Sequence, residues 1–140
     1  MKNWYGSAGI CINEKGQLLM VLQGKPEEEK VWSIPSGGKE DEETFDECCI
    51  REIKEETGYD VRIVKPLFTK EGITYGINVE VHYYEVEVIG GAAQINDPDH
   101  LIYEISWKTA EDISDLELSF PEDRKLLIDF INDKKKKIEA

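Results

Sequence analysis

Residues 37–59 restrict the possible folds of this chain more strongly than any other stretch. They read GGKEDEETFDECCIREIKEETGY. The stretch is rich in glutamate, and its last glutamates, Glu55 and Glu56, are followed by Gly58. Thr44 followed by Glu47 is the pattern of a capping box, which predicts a helix that begins near Phe45. Because glycine readily adopts the left-handed conformation that ends many helices, Gly58 predicts a helix of roughly three to four turns.

The predicted helix carries carboxylates on a partly apolar face. At about 100° per residue, Glu52, Glu55 and Glu56 fall within an arc of roughly 100°. Phe45, Cys48 and Cys49 project from the same arc, and Ile53 lies beside it. Carboxylates that lose hydration together repel one another, and a divalent cation with oxygen ligands is the usual compensation. Arg51, at the edge of the arc, is expected to hold a carboxylate, with Glu43 as the candidate.

A charged, solvated surface helix is the alternative interpretation, and it would suffice for an isolated pair of glutamates. The complete pattern is more specific. Gly37, Glu43 and the run from Arg51 to Gly58 match every strictly specified polar and glycine position of the Nudix box, which this stretch therefore resembles. The preceding segment, residues 32–35, also resembles the segment that usually leads into the box.

The stretch departs from the usual box at a few positions. Tyr59 stands where an aliphatic residue is usual, and Ser36 and Glu42 replace glycines that are common around the loop. Cys48 and Cys49 occupy positions often held by alanine. None of these changes removes an expected metal ligand.

The resemblance implies an α/β (α+β) fold, the Nudix α/β/α sandwich with a mixed β-sheet, formed as one domain over residues 1–140. It also implies an enzyme that hydrolyses a pyrophosphate bond in a nucleoside diphosphate derivative with Mg²⁺ or Mn²⁺. The implied metal ligands are the carboxylates of Glu52, Glu55 and Glu56, with the backbone carbonyl of Gly37 as a further ligand. In catalysis these glutamates would act with Arg51, which has an orienting role, and Glu43 would support them.

The general base and the substrate stay open. A carboxylate must deprotonate or orient the attacking water, and the candidates are Glu52, Asp97, Asp99 and Glu104. The candidate substrates are a nucleoside triphosphate, a nucleotide sugar such as ADP-ribose, and a dinucleoside polyphosphate. The alternative function is a nucleotide sensor that retains the fold without turnover, but such a protein would not need the costly set of glutamates.

Other side chains have both a functional and a structural interpretation. Aromatic residues on predicted strands either stack on a nucleobase or belong to the core: Phe68, Tyr75, Tyr83 and Tyr84. Lys25 and Lys30 are candidates for phosphate binding or are solvated. His82 and His100 have no ligand partner at metal spacing, so both are expected to be structural. The lysine run 134–137 is interpreted as a solvated helix end.

Composition narrows the class of protein. A chain of 140 residues with 40 % hydrophobic residues can form one core. A formal net charge of −13 argues against binding to nucleic-acid polymers or acidic membranes, which are themselves polyanionic. The chain has no long apolar run or signal-peptide core, and its three cysteines make a poor disulfide framework. These features predict a cytoplasmic monomer or homodimer with free buried thiols.

Hydrophobic patterning outside the box predicts further elements. The predicted strands cover residues 5–12, 18–22, 61–68, 79–88 and 101–107, with a hairpin turn at 13–16 and an acidic loop at 94–100. Pro66 is expected near a sheet edge, because proline cannot donate to a strand ladder. A last helix is predicted to be capped by Ser119 and Glu122, with Pro121 in its first turn.

Overall fold

The computed structural model describes residues 2–139 of the chain. The elements follow one another as β1 (Asn3–Cys11), β2 (Leu18–Gln23), β3 (Val31–Ser33), β4 (Ser36–Gly38), α1 (Phe45–Thr57), β5 (Tyr59–Thr74), β6 (Ile77–Gly91), β7 (Ile102–Lys108), α2 (Ala110–Asp115), a 3₁₀ turn (Pro121–Asp123) and α3 (Arg124–Glu139). Across this part of the chain, none of the helices combines the length and apolar character needed to cross a membrane.

The strands form two sheets. One has four strands in the order β4-β1-β6-β5, in which β1 and β6 are parallel and the other pairs are antiparallel. The other has three antiparallel strands in the order β3-β2-β7. The first sheet is therefore mixed, as expected, and β4 and β5 are its edges.

The core has two parts because successive residues of a strand point to opposite faces. Ile10 and Met20 belong to a cluster with Leu127 and Ile131 of α3. Cys11 and Leu19, the neighbours along the same strands, pack with residues of α1, among them Ile53. The β2 run Leu18–Val21 is fully buried, which confirms a strand covered on both faces. Helices on both sides of the strands give the expected sandwich.

Helix α1 begins and ends where its capping pattern predicts. The Thr44 side chain accepts a hydrogen bond from the Glu47 amide at 3.1 Å, and the Glu47 carboxylate accepts one from the Thr44 amide at 2.8 Å. At the other end Gly58 has a φ of 81°, and its N–H donates to the Lys54 carbonyl at 2.9 Å. Both caps are confirmed, which fixes the rotation of the carboxylate face.

The predicted cap of the last helix is wrong. A 3₁₀ turn that starts at Pro121 precedes α3, and its N-terminal residue, Phe120, makes no side-chain cap. The Glu122 carboxylate is held instead by Lys70, whose Nζ lies 3.3 Å from Glu122 Oε2 and 2.9 Å from Asp123 Oδ1. An ion pair with a distant strand therefore replaces the local capping interaction expected of Ser119.

Further elements differ from the expectation. The three-residue strands β3 and β4 were not predicted. Strand β5 runs to Thr74 instead of ending near Phe68, and its register shifts twice around Pro66. Bulges on this edge strand accommodate the proline and let the pairing continue. Helix α2 was not predicted, although Thr109 and Asp112 form a capping box at its start. Its six residues are too few for a helical hydrophobic pattern to stand out.

Candidate active site

Strand β4 places Gly37 directly against helix α1. Gly37 pairs with Ser7 in the four-stranded sheet, and a Cβ added at Gly37 would overlap the Glu52 carboxylate. Only glycine therefore allows Glu52 to approach the backbone of β4 this closely. The Cys48 sulfur lies on the same side, 3.5 Å from the Gly37 carbonyl oxygen. Burial raises the pKa of the Cys48 thiol to about 11, so it keeps its proton at neutral pH.

Arg51 joins the glutamates of the box to the loop before the helix. Its guanidinium contacts both oxygens of Glu43, at 2.6 and 2.9 Å, and donates to the Gly38 carbonyl at 2.9 Å. This confirms the expected pairing of Arg51 with Glu43. The Arg51 hydrogen bonds lower the pKa of Glu43 to about 2 and raise the pKa of Arg51 itself. The remaining nitrogen, Nη1, lies 2.7 Å from Glu52 and 3.3 Å from Glu55.

Glu56 is the most buried carboxylate of the box, with 6 % of its surface exposed. It accepts a hydrogen bond from the Ser36 amide at 3.3 Å. Burial raises the pKa of Glu56 well above its usual value, and the hydrogen-bonded neighbour Glu52 raises it further. Burial raises the pKa of Glu52 as well, against the lowering effect of Arg51. Glu52 and Glu56 are therefore a coupled pair that holds a proton more tightly than two exposed carboxylates would.

The donor set fits a hard divalent cation, although no ligand set is pre-assembled. Within residues 2–139, no three acidic, cysteine or histidine side chains converge in a ready coordination geometry. Arg51 engages Glu52 and Glu55, so these carboxylates face the guanidinium. Carboxylate and carbonyl oxygens are nevertheless the ligands that Mg²⁺ and Mn²⁺ prefer. A buried, mutually repelling pair at Glu52 and Glu56 is the environment that a cation would stabilise.

The loop candidates for the general base lie in different environments. The Asp97 carboxylate accepts hydrogen bonds from the Leu101 amide at 2.6 Å and the Ile102 amide at 3.2 Å, so it organises its own loop. It is close enough to Glu56 to contribute to the raised pKa of that group, after burial and Glu52. Asp99 and Glu104 are exposed, Glu104 on β7.

The candidate phosphate and base contacts lie in different environments. Lys30 Nζ donates to the carbonyls of Lys25 and Glu28, at 2.5 and 2.6 Å, and thereby closes its own loop. The aromatic candidates divide by environment. Phe68 stacks on the buried Tyr83 with ring centroids 4.4 Å apart, Tyr84 is buried, and Tyr75 is 98 % exposed at the β5–β6 turn with a φ of 51°.

Within the described residues, neither histidine belongs to a group of three or more side chains that could hold a metal ion. His82 stacks on Phe45 at 3.6 Å between ring centroids, and its Nε2 lies 2.7 Å from Glu80 Oε2. His100 is an exposed loop residue with a φ of 57°. Their structural interpretation agrees with these positions.

Two backbone groups and one cysteine make further contacts in the site, and the spacing of residues along the sequence did not predict these contacts. The Ser36 amide, the Gly38 carbonyl and the Cys48 thiol each contact a box residue across 11 to 20 positions of sequence. The two adjacent box glycines were the only sequence signal for such close approach. A groove of about 920 Å³ between β6 and α3 contains none of the box glutamates, so it does not locate this site.

Comparison with known proteins identifies one family. Residues 4–130 match the family model described as the NUDIX domain. The chain is 37 % identical over 68 residues to an RNA pyrophosphohydrolase from Zymomonas mobilis, covering 48 % of this chain and 44 % of that protein. It is 27 % identical over 112 residues to the putative nudix hydrolase 1 of Caenorhabditis elegans, covering 78 % of this chain and 30 % of that protein. The chain thus spans less than half the length of these curated relatives.

The fold is shared with solved structures. A NUDIX hydrolase from Nitrosomonas europaea superposes with a TM-score of 0.81 at 17 % identity, covering 96 % of this chain and 91 % of that one. At this identity the likeness establishes the architecture alone. The family model, which spans nearly the whole chain, establishes the membership that the box motif predicted: this protein belongs to the family of NUDIX-domain proteins.

Proposed function

We propose that this protein is a metal-dependent hydrolase that cleaves a pyrophosphate bond in a nucleoside diphosphate derivative. The observation that carries the proposal is the Glu52–Glu56 pair, buried against Gly37 and Ser36 beside Arg51. Burying two coupled carboxylates costs stability, and that cost is understandable where they hold a cation. The divalent cation would neutralise phosphate charge and favour attack by water.

The side chains of α1 have distinct parts in this proposal. Glu52, Glu55 and Glu56 supply the oxygen ligands, with the Gly37 carbonyl beside them. Arg51 is anchored through Glu43 and the Gly38 carbonyl, which ties the helix to the loop before it. Its Nη1 neutralises Glu52 and Glu55, and cation binding would exchange those contacts for metal–oxygen contacts. Arg51 therefore orients the carboxylates.

The proton of the attacking water is best accepted by the glutamate pair. A general base needs a free oxygen near the reacting water. Glu52 and Glu56 lie against the backbone of β4 at the proposed cation site, whereas the Asp97 carboxylate is bound to the backbone amides of its own loop. Asp99 and Glu104 are exposed, outside this buried pair.

The substrate class includes nucleoside triphosphates, nucleotide sugars such as ADP-ribose, and dinucleoside polyphosphates. A relative named as a putative 8-oxo-dGTP diphosphatase supports testing nucleoside triphosphates first. A panel of these nucleotides is incubated with Mg²⁺ or Mn²⁺, and released phosphate and pyrophosphate are measured. Turnover that requires the cation is the expected result.

The residue-level test uses Glu55→Gln and Glu56→Gln, which remove a ligand charge with little change of shape. Each is expected to lower the metal-dependent rate by at least ~10²-fold, because metal assistance supplies several kcal/mol. Lys134→Ala is the control, since Lys134 lies on α3, 3.6 Å from Glu85, and its loss should leave turnover almost unchanged. Near-wild-type turnover in both glutamine variants would reject the metal assignment.

A further inference from the structure

Cys48 and Cys49 are adjacent, equally buried residues of α1 with different surroundings. Both are at most 1 % exposed. The Cys49 sulfur lies in the hydrophobic cluster of α1, close to Ile53 and Gly9. The Cys48 sulfur instead points to β4 and lies 3.5 Å from the Gly37 carbonyl oxygen. One cysteine thus faces the core and the other faces the backbone of the box loop.

The Gly37 carbonyl lies on a short edge strand, where Gly37 pairs with Ser7 of β1. Strand β4 has three residues and is a sheet edge that pairs only with β1 among the described strands. Glycine adds no side chain to hold this backbone, and the Glu52 carboxylate occupies the space that a Cβ would fill. A thiol donates a weak hydrogen bond. The sulfur of Cys48 is the side-chain donor from α1 to this oxygen.

We propose that Cys48 is a positioning residue that holds the Gly37 carbonyl oxygen in place for cation binding. The thiol acts by donating a hydrogen bond to this carbonyl oxygen, 3.5 Å away. The inference rests on the proposed function, in which that oxygen is a ligand. The proposal gives Cys48 a role that alanine, the usual residue at this position of the box, could not have, because alanine has no hydrogen-bond donor in its side chain.

The test measures Mn²⁺ binding by calorimetry, without substrate, for wild type, Cys48→Ala, Cys48→Ser and Cys49→Ala. Alanine and serine have nearly the same size, so this pair isolates the donor. Cys48→Ala is expected to weaken Mn²⁺ binding about three-fold or more, the scale of one weak hydrogen bond. Cys48→Ser should bind more tightly than Cys48→Ala. Cys49→Ala should lower thermal stability in EDTA as Cys48→Ala does, because each deletes one buried sulfur, but should keep wild-type affinity.

Each other outcome counts against the inference. Unchanged affinity in Cys48→Ala overturns it. Equal weakening in Cys48→Ala and Cys49→Ala assigns the effect to general packing, and equal weakening in the serine and alanine variants assigns it to sulfur volume without a donor role. If wild type does not bind Mn²⁺, or if Glu56→Gln binds it as wild type does, the proposed function has failed, and this result is distinguishable from a failure confined to Cys48.

Discussion

At the scale of single residues, the box depends on the contacts of one guanidinium. Arg51 binds Glu43 through two nitrogens, and the two side chains are 25 % and 13 % exposed. A bidentate pair of this kind is stronger than a solvated surface ion pair, because its geometry is fixed and its charges are partly desolvated. The hydrogen bonds from Arg51 lower the pKa of Glu43. The contribution of the pair to the free energy of unfolding therefore depends on pH and can be measured in acid.

We expect the Arg51–Glu43 pair to stabilise the fold above the ordinary glutamate pKa. The pKa of Glu43 is lowered to about 2 from 4.5, so the unfolded chain binds the extra proton between these values. Stability from this group is therefore complete above about pH 4.5 and is lost as the pH falls toward about 2. Glu43→Gln should lower the free energy of unfolding by up to about 3 kcal/mol at pH 7.

The measurement is urea unfolding in EDTA at several pH values. The difference between wild type and Glu43→Gln should shrink toward zero near pH 2. Glu42→Gln changes an exposed carboxylate of the same loop and should follow wild type. A difference that stays constant with pH would show that Glu43 acts through packing.

At the scale of elements, helix α1 holds loops at both of its ends. Its first turn follows the loop that carries Glu43, and its last turn accepts hydrogen bonds from the segment after β6. The Gln94 amide donates to the Thr57 carbonyl at 2.9 Å, and the Asn96 amide donates to the Glu55 carbonyl at 2.8 Å. These bonds bring Asp97 near Glu56, and they depend on the sharp turn at Gly58.

A pair of glycine substitutions tests this dependence. Gly58 and Gly76 have similar positive φ angles, 81° and 75°, but a Cβ at Gly58 would overlap the Ala92 carbonyl, whereas a Cβ at Gly76 meets no atom within 4 Å. Gly76→Ala should cost about 1–2 kcal/mol, the backbone strain alone. Gly58→Ala should cost at least about twice as much, because the loop must also move. Equal losses in the free energy of unfolding would mean that the loop adapts freely.

At the scale of the whole molecule, negative charge is in excess and the box concentrates it in a buried place. The formal net charge is −13, and the coupled pair Glu52–Glu56 adds a local repulsion that burial keeps from being screened. A divalent cation that binds the folded arrangement and not the unfolded chain should stabilise the entire fold. Cation binding can therefore be detected as a rise in the free energy of unfolding, and this measurement does not require the substrate to be known.

Thermal melts in EDTA and in Mg²⁺ or Mn²⁺ test this coupling. At one hundred times its dissociation constant, the cation should add about 2.7 kcal/mol and raise the melting temperature by roughly 5–10 °C. The double variant Glu52→Gln, Glu56→Gln should melt no lower than wild type in EDTA, because repulsion is relieved, and the cation should barely move it. An identical rise in both proteins would mean that the ions bind elsewhere, for example at the Asp97–Asp99 loop.

Local spacing was sufficient to predict the box helix and its caps. The caps at Thr44 and Gly58 follow from helix geometry, which depends only on residues within a few positions of one another. The same holds for the continuous apolar run that predicted β2 and for the alternation that predicted β6. The contacts of Arg51 with Glu52 and Glu55 were not predicted, although Glu55 lies one turn from Arg51. Near Pro121 the expected local cap is absent, and Lys70 on a distant strand pairs with Glu122 and Asp123 instead.

Long-range packing determines the burial and the pKa values of the glutamates in the site. The burial of Glu56 against the Ser36 amide, and of Glu52 against Gly37, requires β4 to be added to the edge of β1 beneath α1. No periodicity along the chain encodes this, because the partners are separated by 15 to 20 residues and meet only when sheet and helix pack. Burial, and with it the raised pKa of the glutamate pair, is a property of the assembled layers, since desolvation depends on every group that surrounds a carboxylate.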